Sequence, residues 1–274
     1  MKWYGYLGIL LILLAEINFY YVIQPFADSY ILIVWFGYIF FIDSLVYRIK
    51  GKSLISSYKK EFLFMVLLSA PFWLIFEFYN VFTHSWFYVN ALWYQGLFAF
   101  ATIIPSVMET FSLVKAFNIG TWLDAKRAAA KPKRSNALSI KLLVVFGFIL
   151  AISPIILGPI GVLLMWPGLG LFFDPLNYLT GKPSLLQQAS LGKKSIILQL
   201  SIAGLITGFF WEFWNYQAYP HWVYTLPSLV INIKLFAMPL EGYIGYIPFG
   251  ATCFLFYAFF RHKLFKNKND LISM

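Results

Sequence analysis

The sequence predicts an all-α polytopic membrane protein of about eight transmembrane helices, arranged as two parallel repeats of four helices each. The first observation is composition: 61% of the 274 residues are hydrophobic and 12% are charged, whereas about a quarter of the residues in a soluble domain are charged. The second is the mean hydropathy of +0.73. The third is that related motifs recur, in the same order, in the two halves of the chain.

Eight apolar stretches are long enough to cross about 30 Å of hydrocarbon as helices. A short Gly/Pro turn separates the fifth stretch from the sixth, which leaves their count open. The stretches cover residues 3–24, 29–48, 61–82, 93–117, 138–157, 159–179, 195–217 and 236–260.

Basic side chains fall almost entirely on one side of this arrangement, and Lys234 is the exception. This is the positive-inside pattern, and it predicts a multi-pass protein of the cell membrane with both termini in the cytoplasm. The net charge of +10 is therefore assigned to topology and to contact with anionic membrane lipid, and no nucleic-acid partner is expected. The residues on the basic side are Lys2, Arg48, Lys50, Lys52, Lys59, Lys60, Lys115, Lys126, Arg127, Lys131, Lys133, Arg134, Lys141, Lys182, Lys193, Lys194, Arg261, Lys263, Lys266 and Lys268.

Short motifs recur in the two halves. FEFYN at residues 76–80 is followed by HSWFY at 84–88, and WEFWN at 211–215 is followed by HWVY at 221–224. Self-similarity of this kind indicates duplicated structural units. An even number of helices gives both units the same orientation, so a site made from equivalent residues is expected where the halves meet. The predicted boundaries are residues 1–118 for the first repeat, 119–137 for a basic cytoplasmic linker, and 138–274 for the second repeat with a basic tail.

Acidic residues inside the membrane are the main candidates for a functional site, because burying an ionisable group there costs at least about 2.5–3.5 kcal/mol. Glu77 and Glu212 are equivalent in the recurring motif, and each has an asparagine at i+3 on the same helix face. The carboxamide is predicted to hydrogen-bond to the acid and orient it. An acid in apolar surroundings is expected to stay protonated and to act as a proton donor. The candidate catalytic residues are Glu77, Asn80, Glu109, Glu212, Asn215 and Glu241.

The alternative for these couples is structural, because Glu and Asn can hold helices together with about 0.6 kcal/mol per hydrogen bond. The aromatic residues around the acids favour a function instead, since aromatic faces stabilise cations. Trp86, Trp222 and Tyr224 lie near the predicted outer boundary, where an interfacial aromatic belt is the alternative. The candidate substrate-binding residues are Phe76, Trp86, Trp211, Trp214, Trp222 and Tyr224.

Other chemistries have little support in the sequence. His84 and His221 lie at the outer ends of equivalent helices, but further metal ligands are not visible, so no metal site is predicted. Cys253 stands alone in an apolar helix and is expected to be a small buried side chain. Asp43 and Asp174, beside lysines at the basic end, are predicted to be structural caps or ion-pair partners. No cofactor-binding motif is present, and no cofactor is predicted.

The second half contains, in order, Trp211-Glu212, Trp222 with Tyr224, and Pro239-Leu240-Glu241. This order resembles the membrane lycopene cyclase domain family of carotenoid biosynthesis, over most of residues 195–260 and more faintly over 61–117. By position, Glu212 matches the family's acid after Trp, and Glu241 matches the first Glu of its Pro-Leu-Glu-Glu element, with Gly242 in place of the second. The resemblance implies cyclisation of a linear carotene's end group: an acid protonates the terminal double bond, the ring closes, and a base removes a proton.

Three functions remain open at this point. The first is a membrane enzyme that performs proton-initiated chemistry (cyclisation, isomerisation or hydration) on a polyisoprenoid or carotenoid lipid. Glu77 and Glu212 would donate protons, and Glu109 and Glu241 would accept a proton or hold charge. The second is a proton-coupled transporter, since internal repeats and midplane acids are typical of carriers, although clearly paired Gly/Pro-broken helices are lacking. The third is a membrane scaffold with structural acids. The sequence does not predict the oligomeric state.

Overall fold

The computed structural model describes residues 1–125, 136–225 and 233–261. Most of the predicted basic linker lies outside these residues, and so does the basic tail after Arg261.

The described residues form helices joined by short turns and four short strands. The helices are α1 (Trp3–Tyr21), α2 (Tyr30–Lys50), α3 (Leu54–Ser57), α4 (Lys59–Thr83), α5 (Trp93–Phe100), α6 (Ile103–Ala116), α7 (Ala137–Ala151), α8 (Ser153–Leu157), α9 (Val162–Leu179), α10 (Leu185–Ser190), α11 (Ser195–Gln217) and α12 (Tyr246–Arg261). Short 3-10 segments cover Thr121–Leu123, Gly158–Gly161 and Leu240–Gly245. The strands are β1 (Trp86–Val89), β2 (His221–Tyr224), β3 (Lys234–Leu235) and β4 (Met238–Pro239).

The predicted all-α polytopic architecture is confirmed. Within the described part of the chain, seven helical segments are long and apolar enough to cross a membrane. They are Trp3–Tyr21, Tyr30–Lys50, Lys59–Thr83, Trp93–Ala116, Ser153–Leu179, Ser195–Gln217 and Leu240–Arg261.

The predicted fifth span, residues 138–157, is not one continuous helix. α7 has 15 residues, and at 1.5 Å per residue its length of about 22 Å falls short of the hydrocarbon thickness. The helix ends because Pro154 has no N–H with which to continue it. Ser153 Oγ donates to the carbonyl of Leu150 at 2.6 Å instead. α7 is nevertheless apolar and packs along α9.

The predicted spans 93–117 and 236–260 are also interrupted. A two-residue turn separates α5 from α6, and a 3-10 segment precedes α12. Ser69 on α4 bridges the first interruption: its Oγ donates to the carbonyl of Phe100 at 2.5 Å and accepts from the N–H of Ile104 at 2.9 Å. Such partners are needed because a broken backbone in a membrane must have its polar groups satisfied by the protein itself.

The helices α6 and α12 pack against each other at the centre of the bundle. Around them, α2 packs on α6 as α9 packs on α12, and α4 and α11 each contact both central helices. The peripheral hairpin of α1 and α2 corresponds to that of α7 and α9. Matching contacts of this kind are expected of two related repeats. The duplication itself stays a prediction.

Glycines allow α11 and α12 to approach closely. A Cβ on Gly204 would lie 2.2 Å from the carbonyl oxygen of Tyr246, and one on Gly250 would lie 2.1 Å from that of Leu200. Small residues at a helix crossing are a common means of close packing in membranes. The crossing places Tyr246 beside α11, within reach of Glu212.

One strand from each half forms a two-stranded antiparallel sheet beyond the ends of α4 and α11. The register pairs Trp86 with Tyr224 and Tyr88 with Trp222. Each pair therefore joins the tryptophan of one motif to the tyrosine of the other. The sheet fixes the two motifs relative to each other.

Asp43 and Asp174 cap short helices, as predicted. Asp43 Oδ1 accepts from the N–H of Ile55 at 2.8 Å, and Asp174 Oδ1 accepts from the N–H of Leu185 at 2.6 Å. These bonds satisfy N–H groups in the first turns of α3 and α10, which have no partner within their own helices.

A buried ion pair joins the start of α4 to the end of α12. Arg261 Nη2 lies 2.5 Å from Glu61 Oε1, and the hydroxyl of Tyr257 also donates to Glu61. Arg261 is 2% exposed and Glu61 is 6% exposed. Because losing one partner of a buried pair leaves an uncompensated charge, this contact fastens α4 to α12 at the end opposite the β1–β2 sheet.

Replacing Gly250 with alanine is expected to destabilise the protein, because the new Cβ would force α11 and α12 apart. Overpacking of this kind costs about 1–3 kcal/mol. Gly170→Ala is the matched control, since a Cβ there would come no closer than 3.6 Å to its nearest neighbour, Thr252 Oγ1. Thermal unfolding in detergent, followed by circular dichroism, measures the difference. Equal unfolding midpoints for the two variants would contradict the close packing.

Candidate functional site

A cavity of about 630 Å³ lies where the two halves meet. Its walls come from α2, α4, α5, α9, α11, the two strands β1 and β2, and the segment from Met238 to Phe249. The volume is within the range of small-molecule binding sites, about 300–1,000 Å³.

Eleven aromatic side chains line the cavity. Trp73 from the first half stacks on Trp211 from the second, with ring centroids 5.3 Å apart. The wall is thus continuous across the junction. The aromatic lining residues are Trp35, Trp73, Trp86, Tyr88, Phe100, Trp166, Trp211, Trp222, Tyr224, Tyr246 and Phe249, and the polar ones include Asp28, Gln95, Thr102, His221 and Glu241.

Glu77 lies behind the wall and accepts hydrogen bonds from three of its aromatic side chains. Glu77 Oε1 receives Trp73 Nε1 at 2.9 Å, Trp86 Nε1 at 3.2 Å and the Tyr88 hydroxyl at 2.5 Å. All three donors line the cavity, whereas Glu77 does not. One carboxyl oxygen therefore orients three rings of the wall.

Glu212 has a corresponding place in the second half. Its Oε1 accepts from the hydroxyls of Tyr224 at 2.7 Å and Tyr246 at 2.6 Å. Trp222 Nε1 in turn donates to the Tyr224 hydroxyl at 2.8 Å. These three residues line the cavity, and Glu212, which is fully buried, lies behind them.

Asn80 and Asn215 do not orient the glutamates, and that prediction is wrong. Asn80 accepts from the N–H of Trp86 at 3.2 Å and donates to its carbonyl at 2.8 Å. Asn215 makes the same two bonds to Trp222, at 2.8 and 2.9 Å. The asparagines therefore attach the strands to the ends of α4 and α11, and the strands present the aromatic side chains to the glutamates.

The phenols of Tyr88 and Tyr224 stay protonated. Burial raises the pKa of both, and the neighbouring carboxyls of Glu77 and Glu212 raise it further. Both hydroxyls therefore act as hydrogen-bond donors at the cavity wall over the ordinary pH range.

Glu241, alone among the four predicted catalytic acids, lines the cavity. It lies on the 3-10 segment before α12. Asp28, two residues before α2, and His221, on β2, line the same cavity. Two carboxyl groups and one imidazole thus share a chamber that is otherwise lined mainly by aromatic and aliphatic side chains.

Besides the two glutamates and the two asparagines described above, three predicted site residues do not line the cavity. Glu109 on α6 is completely buried, and both of its carboxyl oxygens lack a hydrogen-bond donor. Trp214 packs its ring on Trp35, with centroids 4.9 Å apart, and its Nε1 donates to Glu16 at 3.0 Å. Phe76 does not line the cavity either, but it stacks on the lining residue Trp166 at 4.4 Å.

Several lining residues were missed by the sequence analysis. Tyr88 could have been found, because it is the counterpart of Tyr224 in the recurring motif. Trp73 precedes Glu77 by four residues, so it lies on the same helix face. Trp35, Trp166 and Phe249 reach the cavity through helix packing, which no local motif indicates.

Among the described residues, no group of three or more His, Cys, Asp and Glu side chains comes together as metal ligands would. No protein-family model, curated protein or solved structure matches the chain.

Replacing Glu212 with leucine is expected to destabilise the protein, because the hydroxyls of Tyr224 and Tyr246 would lose their acceptor. A buried polar group left unsatisfied costs about 1–3 kcal/mol. Glu212→Gln keeps an oxygen acceptor and should unfold close to the wild-type temperature. Thermal unfolding in detergent compares the variants, and equal effects of leucine and glutamine would contradict the role of Glu212 as an acceptor.

Replacing Asn215 with leucine should loosen β2, since both hydrogen bonds to the Trp222 backbone are lost. Hydrogen exchange detected by mass spectrometry is expected to accelerate in residues 221–224. Asn18→Leu is the control, because Asn18 Oδ1 accepts from the N–H of Ile23 at 2.7 Å in a different loop. If the amide hydrogens of β2 exchange at the same rate in both variants, Asn215 does not hold the strand.

Proposed function

We propose that the chain is a membrane-embedded enzyme that performs proton-initiated acid/base chemistry on a polyisoprenoid or carotenoid lipid. The observation that carries the proposal is the aromatic cavity with Glu241 on its wall, between rings held by Glu77 and Glu212. The resemblance of the second half to the lycopene cyclase domain family supports the same class of substrate.

The composition of the cavity supports an apolar ligand that enters from the bilayer. Leu163 on α9, Ile244 just before α12 and Ile247 in its first turn line the cavity and are also 48%, 65% and 41% exposed on the surface. In a membrane-spanning bundle such side chains face lipid. A lipid-soluble substrate would therefore pass between α9 and α12 without crossing water.

The reaction would begin with proton transfer from Glu241 to a terminal carbon–carbon double bond. A new C–H bond forms as the π bond breaks, which leaves a carbocation that the faces of Trp211 and Trp222 stabilise. In a cyclisation, a second double bond of the same chain then forms a C–C bond to the cation. A base removes a neighbouring proton and restores a double bond, so no electrons are gained or lost. The carboxyl group of Asp28 and the imidazole of His221 also line the wall and could act as this base.

Glu77 and Glu212 are proposed as positioning residues in this scheme. Each is separated from the cavity by the aromatic donors that it binds, so its oxygen fixes those rings. A pre-oriented wall lowers the barrier because the stabilising groups need not reorganise as charge develops. Glu77 and Glu212 thus stay in the proposed site as positioning residues and not as proton donors.

The proposal also includes a duplicated architecture and cytoplasmic termini. Matching contacts of Asn80 and Asn215 with the strands, and of Glu77 and Glu212 with aromatic side chains, support a duplication. Successive helices run in alternating directions, and the ends of α2, α4 and α11 that carry or adjoin lysines lie on the same side of the bundle. This distribution of basic residues supports cytoplasmic termini in the cell membrane.

A proton-coupled transporter is the second candidate, and one observation favours it. The chain is interrupted between α5 and α6 and again before α12, and residues at both interruptions line the cavity. Paired broken helices around a central site are typical of secondary transporters.

Expression in a lycopene-accumulating bacterium tests the enzyme proposal. The expected result is a new pigment on chromatography, with its formation reduced about 10²–10⁴-fold by Glu241→Gln, since general acid–base catalysis contributes about that factor. Glu16→Gln is the control: it removes an acid outside the cavity and keeps an acceptor for Trp214. An unchanged pigment with the wild-type chain would rule out a cyclase of this carotene.

Proton-flux measurements in proteoliposomes distinguish the enzyme from the transporter. Protein reconstituted with a pH-sensitive dye inside the vesicles should show no substrate-driven proton flux if it is the enzyme. Polyene-dependent acidification or alkalinisation without a chemically changed polyene would favour the transporter and contradict the enzyme proposal.

A further inference from the structure

The cavity lies in the half of the bundle that carries the β1–β2 sheet. Its lining residues on α2, α9 and α12 belong to the first two turns of those helices. Those on α4 and α11, Trp73 and Trp211, belong to the second halves of their helices, which end at the sheet. A hydrogen bond of 2.6 Å from Tyr30 to Gln217 joins the start of α2 to the end of α11. The lining therefore comes from the helix ends on the sheet side.

Packed rings separate the cavity from the basic ends of the helices. Phe72 on α4 contacts Phe249 and Phe256 on α12, with ring centroids 6.3 and 4.8 Å apart, and all three rings are buried. The ion pair of Glu61 and Arg261 lies beyond them, at the far end of α4 and α12. A ligand therefore reaches the cavity from the sheet side, or from the membrane leaflet on that side.

Three polar side chains, Asp28, Gln95 and His221, line the cavity close to the sheet. Asp28 precedes Tyr30 by two residues, and His221 follows Gln217 by four, so the hydrogen bond between Tyr30 and Gln217 brings their segments together. His221 lies on β2, and Gln95 follows the end of the paired strand β1 by six residues. These three side chains form the rim of the cavity.

The rim offers both hydrogen-bond donors and acceptors. Gln95 Oε1 accepts from the N–H of Leu92 at 3.3 Å, so the amide N–H groups of Gln95 are the donors. His221 Nδ1 lies 3.1 Å from the carbonyl oxygen of Tyr219. Because a carbonyl only accepts, Nδ1 carries the hydrogen of this bond, and Nε2 of the neutral ring is an acceptor. Asp28 adds carboxyl oxygens. A hydroxyl group, which both donates and accepts, matches this set.

The charge of the lining disfavours an anionic end group. Asp28 and Glu241 line the cavity, and none of the described lining residues is Lys or Arg. A phosphate or carboxylate would lose its hydration here without gaining a cationic partner, which is costly. A hydroxyl group needs only the hydrogen bonds that the rim provides.

We propose that the cavity binds a polyene lipid with a hydroxyl end group, and that this hydroxyl lies at the rim. Gln95 donates to the hydroxyl oxygen, and His221 or Asp28 accepts its hydrogen. The polyene lies along the aromatic wall that contains Trp73 and Trp211, and its remaining length leaves between α9 and α12. The polyene class rests on the proposed function, whereas the end group rests on the rim and on the charge of the lining.

Binding of unreacted ligands to the full chain in proteoliposomes tests the proposal. Retinol, retinyl methyl ether, retinyl phosphate and retinylamine share one polyene and differ in the end group. The saturable part of the energy transfer from the wall tryptophans to the polyene reports binding. Retinol is expected to bind about fivefold more tightly than the ether, which has no O–H to donate. Retinyl phosphate should bind about tenfold more weakly than retinol, or weaker still, because its charge has no cationic partner.

Two substitutions of Gln95 test the position of the hydroxyl. Gln95→Leu should reduce the affinity for retinol about fivefold and leave the affinity for the ether unchanged. Gln95→Lys places a cation at the rim and should strengthen the binding of retinyl phosphate about tenfold, a gain that a misfolded protein would not show. Gln187→Leu, on α10 at the opposite end of the bundle, is the matched control and should change none of these affinities.

Equal affinities for retinol and retinyl phosphate would overturn the proposal, and so would the absence of saturable binding by all four ligands. Tighter binding of retinylamine than of retinol would assign the rim to an ammonium group instead. Retinol that binds with the expected preferences supports the rim assignment even if the lycopene-accumulating bacterium forms no new pigment, so failure of the enzyme proposal is distinguishable from failure of this one.

Discussion

The wall of the cavity depends on two carboxyl groups that collect hydrogen bonds from aromatic side chains. A Trp N–H or Tyr O–H inside a membrane has no water to bond, so an unpaired donor there is costly. Glu77 and Glu212 supply the acceptors, and the rings take the orientations that those bonds require. The dependence is mutual, because these donors reduce the cost of burying the two carboxyl groups.

The sequence predicted the architecture and several members of this network, but not how they are connected. Recurrence of the Glu and Asn motif located the acids, since side chains i and i+3 share a helix face. The asparagines nevertheless bond to the backbone of Trp86 and Trp222. Trp86 and Trp222 lie in β1 and β2, whose pairing joins residues more than a hundred positions apart. Spacing along one helix carries no information about such a contact.

Helix interruptions were also hard to predict, because hydropathy reports composition rather than hydrogen bonding. The stretch from 93 to 117 is apolar throughout, yet it turns between α5 and α6, where Ser69 supplies the missing partners. The corresponding residue on α11 is Gly204, which makes direct contact with the start of α12. The two halves therefore stabilise similar interruptions by different means, and their cavity walls are not equivalent: Gln95 lines the cavity from one interrupted segment and Glu241 from the other.

The paired strands have a consequence for how the halves depend on each other. β1 and β2 satisfy each other's backbone groups, so either half alone would present an open strand edge to its surroundings. The ion pair of Glu61 and Arg261 adds a second mutual requirement at the opposite end. Two polypeptides produced from a chain divided between the halves would still carry complementary edges and opposite charges. The architecture thus contains the means for separate halves to recognise one another and reassemble.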